Sequence, residues 1–289
     1  MDFAAHRHLF VLLVAAAQSS YADDYVFVDS FESSDCSQPL TCAGVSGTCV
    51  SGQLADAAAA GPLRARFNIG LGCGSSAIGG PCDLSVTAHD AVDFATNPGA
   101  SNPLSAGETI VDGCGRYRFA NLTTSSSGYV AIVTDDAPGG TTYMPAQATH
   151  ALAVNQHVDG MTAIAARFGD VNAWGLMAGQ NYVNSGALLL MFRTGATPTA
   201  AVSVTGTGIA RYFSDTDAAR YSASSAATST GANGSALYSS GTASSASGGE
   251  SGGCVWPPIN RTSVTGVVAY AKFVCQEDKK SPASLRGFS

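Results

Sequence analysis

VDGCGRYRFANLTTSSSGYVAIVTDDAP, residues 111–138, decides how this chain is read. A turn, Asp112-Gly113-Cys114-Gly115, opens into Arg116-Tyr117-Arg118-Phe119-Ala120-Asn121-Leu122. There Tyr117 and Phe119 fall on one face, and Arg116 and Arg118 on the other. Alternation of period two with a single apolar face is the pattern of a half-buried strand. A Thr/Ser turn ending at Gly128 leads to a second strand, 129–133, stopped by Asp135-Asp136-Ala137-Pro138. Turn chemistry at both ends predicts a β-hairpin and, through it, an antiparallel β-sandwich. The stretch supplies no reaction.

The pattern repeats outward. Strands are expected at 50–55, 83–94, 143–154 and 161–168, then at 187–193, 200–205, 209–213 and 265–275, with a short one ending at Tyr238. Segments 221–230 and 239–253 are almost all Ser, Ala, Thr and Gly, a composition that favours flexible surface loops. Beyond residues 1–22, no helix longer than about ten residues is expected.

Four stretches in order, VSGQLAD (50–56), GPL (61–63), DLSVTAHDAVDF (83–94) and GRYRFANL (115–122), resemble the carboxypeptidase regulatory-like, or transthyretin-like (prealbumin-like), domain family. The resemblance covers roughly 49–168 and implies a β-sandwich accessory domain. It implies no peptidase, since neither an H-x-x-E nor an H-E-x-x-H zinc motif is present. The insertion between Cys73 and Cys82, and His89-Asp90-Ala91 in place of a plain strand end, depart from the family pattern. Further on, TGANGSA (230–236) resembles the T-D-A-N-G-x-A signature of bacterial immunoglobulin-like domains. The expected fold class is therefore all-β, two tandem antiparallel β-sandwiches. The expected boundaries are a signal peptide at 1–22, an acidic Cys-containing segment at 23–48, a transthyretin-like domain at 49–168, a linker at 169–186, an Ig-like domain at 187–276 and a disordered tail at 277–289.

Compartment follows from the N-terminus and the cysteines. Arg7, with His6 and His8, precedes LFVLLVAAA (9–17), and Ser20-Tyr21-Ala22 offers small residues for cleavage after Ala22. The apolar core falls short of the roughly 20 residues a membrane span needs, so no membrane span is expected. DDYVFVDSFESSDC (23–36) resembles the DGFES-type boxes that follow the signal in many exported bacterial proteins, and favours a Gram-negative source. Eight cysteines in an exported chain read as disulfides. Cys73–Cys82, around a Gly-rich loop, and Cys254–Cys275, flanking the last strand, are the first two candidate pairs. Cys36, Cys42, Cys49 and Cys114 then allow three connectivities, of which Cys42–Cys49 is preferred; partners for Cys36 and Cys114 stay open. The expected location is secreted, extracellular or periplasmic.

Charged residues make up only 12% of the chain and the net charge is -7, with no run of Lys or Arg, which disfavours a nucleic-acid partner. His89, His150 and His157 are the histidines after the signal, and no serine sits in a G-x-S-x-G elbow. No catalytic residue is therefore assigned; a cleft uniting His, Ser and carboxylate would reverse that. No C-x-x-C spacing suggests zinc, and Asp135-Asp136 and Asp215-Thr216-Asp217 fall far short of a calcium ligand set, so no metal or cofactor is expected. Tyr182, Tyr212, Phe213 and Tyr238 read as core aromatics, while Trp256, beside Cys254, is a candidate ligand contact. The expectation is a non-enzymatic structural or protein-interaction module with an unidentified protein or glycan partner. The alternative is a module that binds carbohydrate or another ligand through loops at a sandwich end.

Overall fold

A computed structural model describes residues 36–61, 84–112, 114–136, 141–249 and 254–277. The expected export signal, Cys73, Cys82 and the tail from 278 lie outside the described residues. In chain order the first elements are β1 (Cys49–Asp56), β2 (Leu84–Asp90), α1 (Ala91–Thr96), β3 (Glu108–Val111), β4 (Arg116–Ala120), β5 (Tyr129–Asp136), β6 (Tyr143–Met144), β7 (Ala146–Ala151) and β8 (His157–Arg167). Then come α2 (Phe168–Ala178), α3 (Tyr182–Ser185), β9 (Ala187–Thr194), β10 (Thr197–Pro198), β11 (Val202–Gly206), β12 (Ile209–Phe213), β13 (Ala223–Ser224) and β14 (Ser235–Ser239). The last are β15 (Thr242–Gly248), β16 (Cys254–Val255), β17 (Arg261–Thr262), β18 (Val268–Val274) and β19 (Gln276–Glu277). The fold is mostly β.

The alternation in 116–120 is real: Tyr117 and Phe119 are buried, while Arg116 and Arg118 lie at the surface side of β4. The expected hairpin is not formed. β4 pairs with β1 and β3 in one sheet, whereas β5 pairs with β2 and β7 in another. The Ser-rich turn is thus an arch between two layers, and its hydroxyls bond to Asp90 rather than closing a ladder.

The first sheet has the order β3-β4-β1-β8-β6. The second runs β13-β12-β14-β9-β18-β7-β5-β2, with β10 beside β9. Both are mixed rather than antiparallel as expected, because β1 runs parallel to β8, and β18 runs parallel to both β7 and β9. In the second sheet, register aligns Ala88, Ile132, Ala148, Tyr270 and Leu189 on one face. That face packs on Val50, Leu54, Tyr117 and Phe119 of the first sheet, and further along on Val171, Trp174 and Ala178 of α2. The next cross-strand row, Thr87, Val133, Gln147, Ala269 and Leu188, lies on the opposite face. One end of that face is covered by α1 through Ala91 and Phe94. The other end is covered by the small sheet β11-β15-β17 and Trp256.

Segment 169–186, expected as a linker, holds α2 and α3 instead. Its Gly and Asn content hides the helix in the sequence, but Gly175 is needed there, since a Cβ would lie 2.7 Å from the carbonyl oxygen of Gln180. Gly179, at φ 65°, ends α2 in the left-handed conformation that suits glycine. The low-complexity stretch 239–253, expected as loop, contains β15, whose Ala243 is fully buried while its serines face outward. Likewise the strand expected over 83–94 stops at Asp90, whose carboxylate accepts from the backbone N–H groups of Val92 and Asp93 and starts α1.

Disulfides join Cys36 to Cys114, Cys42 to Cys49 and Cys254 to Cys275, chemistry that belongs to an oxidising compartment. Among the described residues no helix is long and apolar enough to cross a membrane.

β1 passes β8 through a bulge at Gly52, where a Cβ would lie 1.8 Å from the Met161 carbonyl oxygen. The Tyr117 hydroxyl donates to that same oxygen at 2.9 Å. Replacing Gly52 with Ala is therefore expected to lower stability by about 3 kcal/mol, read from urea unfolding. Wild-type stability in that variant would show that β1 can shift away from β8.

Candidate functional site

Between its two covers, the second face of the large sheet is left open as a groove of about 600 Å³. The floor is Gln147 and Thr149 of β7, Leu188 of β9, and Ala269 and Ala271 of β18. Residues Val92, Ala95 and Thr96 of α1 bound it, as does the segment 260–265 that leads from β17 toward β18. Tyr129, at the start of β5, is 48% exposed among the lining residues. The small residues at 269 and 271 make the depth, since a large side chain at either would fill the space over β18.

Gln147 is the unusual member. The residue is 6% exposed, and its Oε1, itself buried, has no hydrogen-bond partner among the described residues. An unpaired buried polar atom costs roughly 1–3 kcal/mol relative to a satisfied one.

The α1 wall is set by Asp90. Besides capping α1, its second carboxylate oxygen accepts from Ser125 Oγ at 2.7 Å, Ser126 Oγ at 3.0 Å and the Ser127 N–H at 2.8 Å. Burial works to raise the pKa of Asp90, but these hydrogen bonds overcome it and hold the group well below the usual carboxylate range. One carboxylate thereby ties α1 to the arch between the sheets.

Beside α1, four side chains form a chain of hydrogen bonds. Ser101 Oγ donates to Asp93 Oδ2 at 2.7 Å, which uses its only proton. It must then accept from His89 Nδ1–H, at 3.1 Å, leaving Nε2 to accept from Thr87 Oγ1 at 3.0 Å. Burial lowers the pKa of His89, partly countered by Asp93, so the neutral ring is favoured. A hydroxyl donating to an oriented imidazole is the first requirement of nucleophilic catalysis. However, His89 is buried against Phe94, and none of these four residues lines the groove. What the network does hold is the segment after α1: Leu104 N–H donates to Ala88 O at 2.7 Å and Pro103 bridges to His89, covering the edge of β2.

Of the other residues singled out in the sequence, Trp256 is not offered to a ligand. It is 8% exposed, its Nε1 donates to Gly248 O, and its ring packs edge-on against Phe192. Tyr182, Tyr212, Phe213 and Tyr238 are buried in the two cores around α2 and the small sheet. Asp136 accepts from Thr142 and Tyr143 N–H, Asp215 from Ser222 N–H and Asp217 from Ala219 N–H, each a local turn contact. His150 and His157 are exposed and bond to backbone carbonyls. Among the described residues no group of three or more His, Cys, Asp or Glu could hold a metal ion. Gln147 carries no signal in the sequence, because only the pairing of β7 with β18 and β5 places it at the centre of a sheet face.

No protein-family model, curated protein or solved structure matches this chain.

Two expectations follow. Asp90→Ala should lower stability by about 2 kcal/mol at neutral pH. Because folding depresses this carboxyl's pKa, its contribution is full above the unfolded value of about 3.9 and is lost as pH falls below it, so the wild-type and variant stabilities converge in acid. Thermal unfolding across that range checks it; a difference that persists undiminished in acid would assign the loss to another cause. Gln147→Met should keep stability within about 1 kcal/mol of wild type or raise it, since no hydrogen bond to Oε1 is lost. A loss beyond about 2 kcal/mol in urea unfolding would show that the amide supports the fold.

Proposed function

We propose that this protein acts outside the cytoplasm as a non-catalytic β-sandwich binding module, with the groove over β7, β18 and β9 as its contact surface. The observation that carries this reading is the groove left open on the second face of the large sheet between α1 and the small sheet. The disulfides support the exported location. Placement of the Thr87–His89–Ser101–Asp93 chain away from the groove supports a binding role over a catalytic one.

Of the two roles expected from the sequence, a structural or protein-interaction module and a module that binds carbohydrate or another ligand, this reading takes the second, and the sheet edges bear on the first. The large sheet ends on one side at β13, two residues long, and on the other at β2, whose edge is bonded to residues 103 and 104. A partner strand would find the backbone at one end of each edge, at Ala88 and His89 and at Tyr212 and Phe213, already engaged. In this reading, 49–168 is the transthyretin-like unit and 187–276 the Ig-like unit. β18 makes them one scaffold by pairing with a strand of each.

The test is a binding screen of the oxidised protein from Asp23 to Ser289 against immobilised polysaccharides and proteins, repeated with Ala269→Phe, which fills the floor, and with Leu176→Ala on the exposed side of α2 as a control. Binding should fall at least roughly tenfold in Ala269→Phe and survive in Leu176→Ala. Ligand binding that Ala269→Phe leaves intact would remove the groove from the account.

A further inference from the structure

Residues 97–104, after α1, cover the edge of β2 as a strap whose contacts converge on His89. The strap turns on Asn97, whose carbonyl accepts from the Ala100 and Ser101 N–H groups, and then runs beside β2. There Leu104 N–H donates to Ala88 O at 2.7 Å, Pro103 bridges to His89, and Ser101 Oγ meets the His89 ring at 3.1 Å. His89 is 5% exposed, and its ring centre lies 5.1 Å from that of Phe94 on α1. Every proton from Thr87 to Asp93 points one way: Thr87 O–H to Nε2, Nδ1–H to Ser101 Oγ, and Ser101 O–H to the Asp93 carboxylate. That order requires an unprotonated Nε2, because Ser101 has given its single proton to Asp93. Asp93 is the charged side chain that acts on His89 among the described residues, with Ser101 between them. Residues 97–104 include no charged side chain, β5 sets Ala131 opposite His89, and the Asp90 carboxylate is turned to the serines of the arch.

We propose that His89 is a proton-operated latch: a proton taken up at Nε2 releases the strap and uncovers the edge of β2. With Nε2 protonated, the Thr87 hydroxyl loses its acceptor, and two ring N–H groups face hydroxyls where one did before. The charge sits against Phe94 with the Asp93 carboxylate one hydroxyl away, and opening the strap returns the ring to water. Burial lowers the pKa of His89, partly countered by Asp93, so the closed strap favours the neutral ring. Its contribution is therefore full above the ordinary histidine value of about 6.5 and is lost as pH falls through the lower value of the closed state. Asp90 stays ionised across that window, since its hydrogen bonds hold its pKa well below the usual carboxylate range. The start of α1 thus remains capped while the strap lets go. An uncovered strand edge is a template for another strand, so acid turns a closed edge into one that can pair. The latch acts at the sheet edge and is independent of ligand binding in the groove.

Amide hydrogen exchange of the oxidised wild type, corrected for the intrinsic pH dependence of exchange, reads the latch at about pH 8 and about pH 5. Leu104 N–H should lose protection in acid along the titration curve of the His89 ring, followed by NMR. Val92 and Asp93 N–H, capped by Asp90, and Ile132 N–H, in a strand paired on both sides, should keep theirs. His89→Gln should abolish the acid loss. Asp93→Asn should move it to lower pH, because the carboxylate is what favours the protonated ring. Leu104 protection unchanged between the two pH values, or a loss that persists in His89→Gln, overturns the proposal. A loss shared by Ile132 overturns it too, because the whole fold then opens in acid. So does a midpoint that stays or rises in Asp93→Asn, the variant that carries the test if His89→Gln does not fold.

Discussion

The structure depends on the insertion of β18 between β7 and β9. The strand is parallel to both, in register with β9 from Val268 to Val274 and with β7 from Val268 to Tyr270. Without it, the two halves of the large sheet have no shared ladder. Its side chains serve three cores: Tyr270 packs against the sandwich between the sheets and against the core around α2, Val268 joins the latter, and Phe273 stacks on Phe192 under the small sheet. The Cys254–Cys275 disulfide and the hydrogen bond from Cys275 N–H to Arg193 O tie down the strand just past its end. Ala269 and Ala271 then form the centre of the groove floor, so the same strand closes the fold and makes the site.

A second junction fixes the opposite face. Arg220 is 2% exposed; its Nε donates to Ser235 Oγ and one terminal nitrogen donates to Ala57 O, while its own carbonyl accepts from Trp174 Nε1. It therefore bonds to residues just past β1, to α2 and to β14 at once. Burial lowers its pKa, while Tyr270 and Asp56 favour the charged form. Two of the guanidinium's five N–H donors thus meet a hydroxyl and a backbone oxygen, which offsets part of the cost of burying it, and its removal would leave those acceptors unpaired. This contact adds to the apolar packing of Val171, Trp174 and Ala178 that holds α2 against the sheet.

Legibility in the sequence varied with the range of the cause. The alternation of Tyr117 and Phe119 with two arginines is a local property, and it fixed which face of β4 is buried. The run at 187–193 likewise reads as a strand because buried strands are apolar throughout. By contrast, the arch after Ala120 and a hairpin have the same local turn residues; what separates them is whether the Thr/Ser segment bonds to its neighbours or to Asp90, 35 positions away from Ser125. α2 was hidden because its glycines lower helix propensity, and tertiary contacts with the large sheet, α3 and Arg220 outweigh that. β15 was hidden because Ser and Ala carry little β signal, and its pairing with β11 supplies what composition lacks.

Local sequence carries the mostly β character, the buried face of β4, the apolar run of β9 and the supply of cysteines, since each rests on residues a few positions apart. Tertiary structure alone decided which sheet each strand enters, the parallel course of β18, the burial of Trp256 and the groove with Gln147 on its floor. The physical reason is one of range. A strand's two faces follow from alternation along the chain, but its neighbours follow from which distant surfaces it can cover, and a site built across three such strands exists only once that choice has been made.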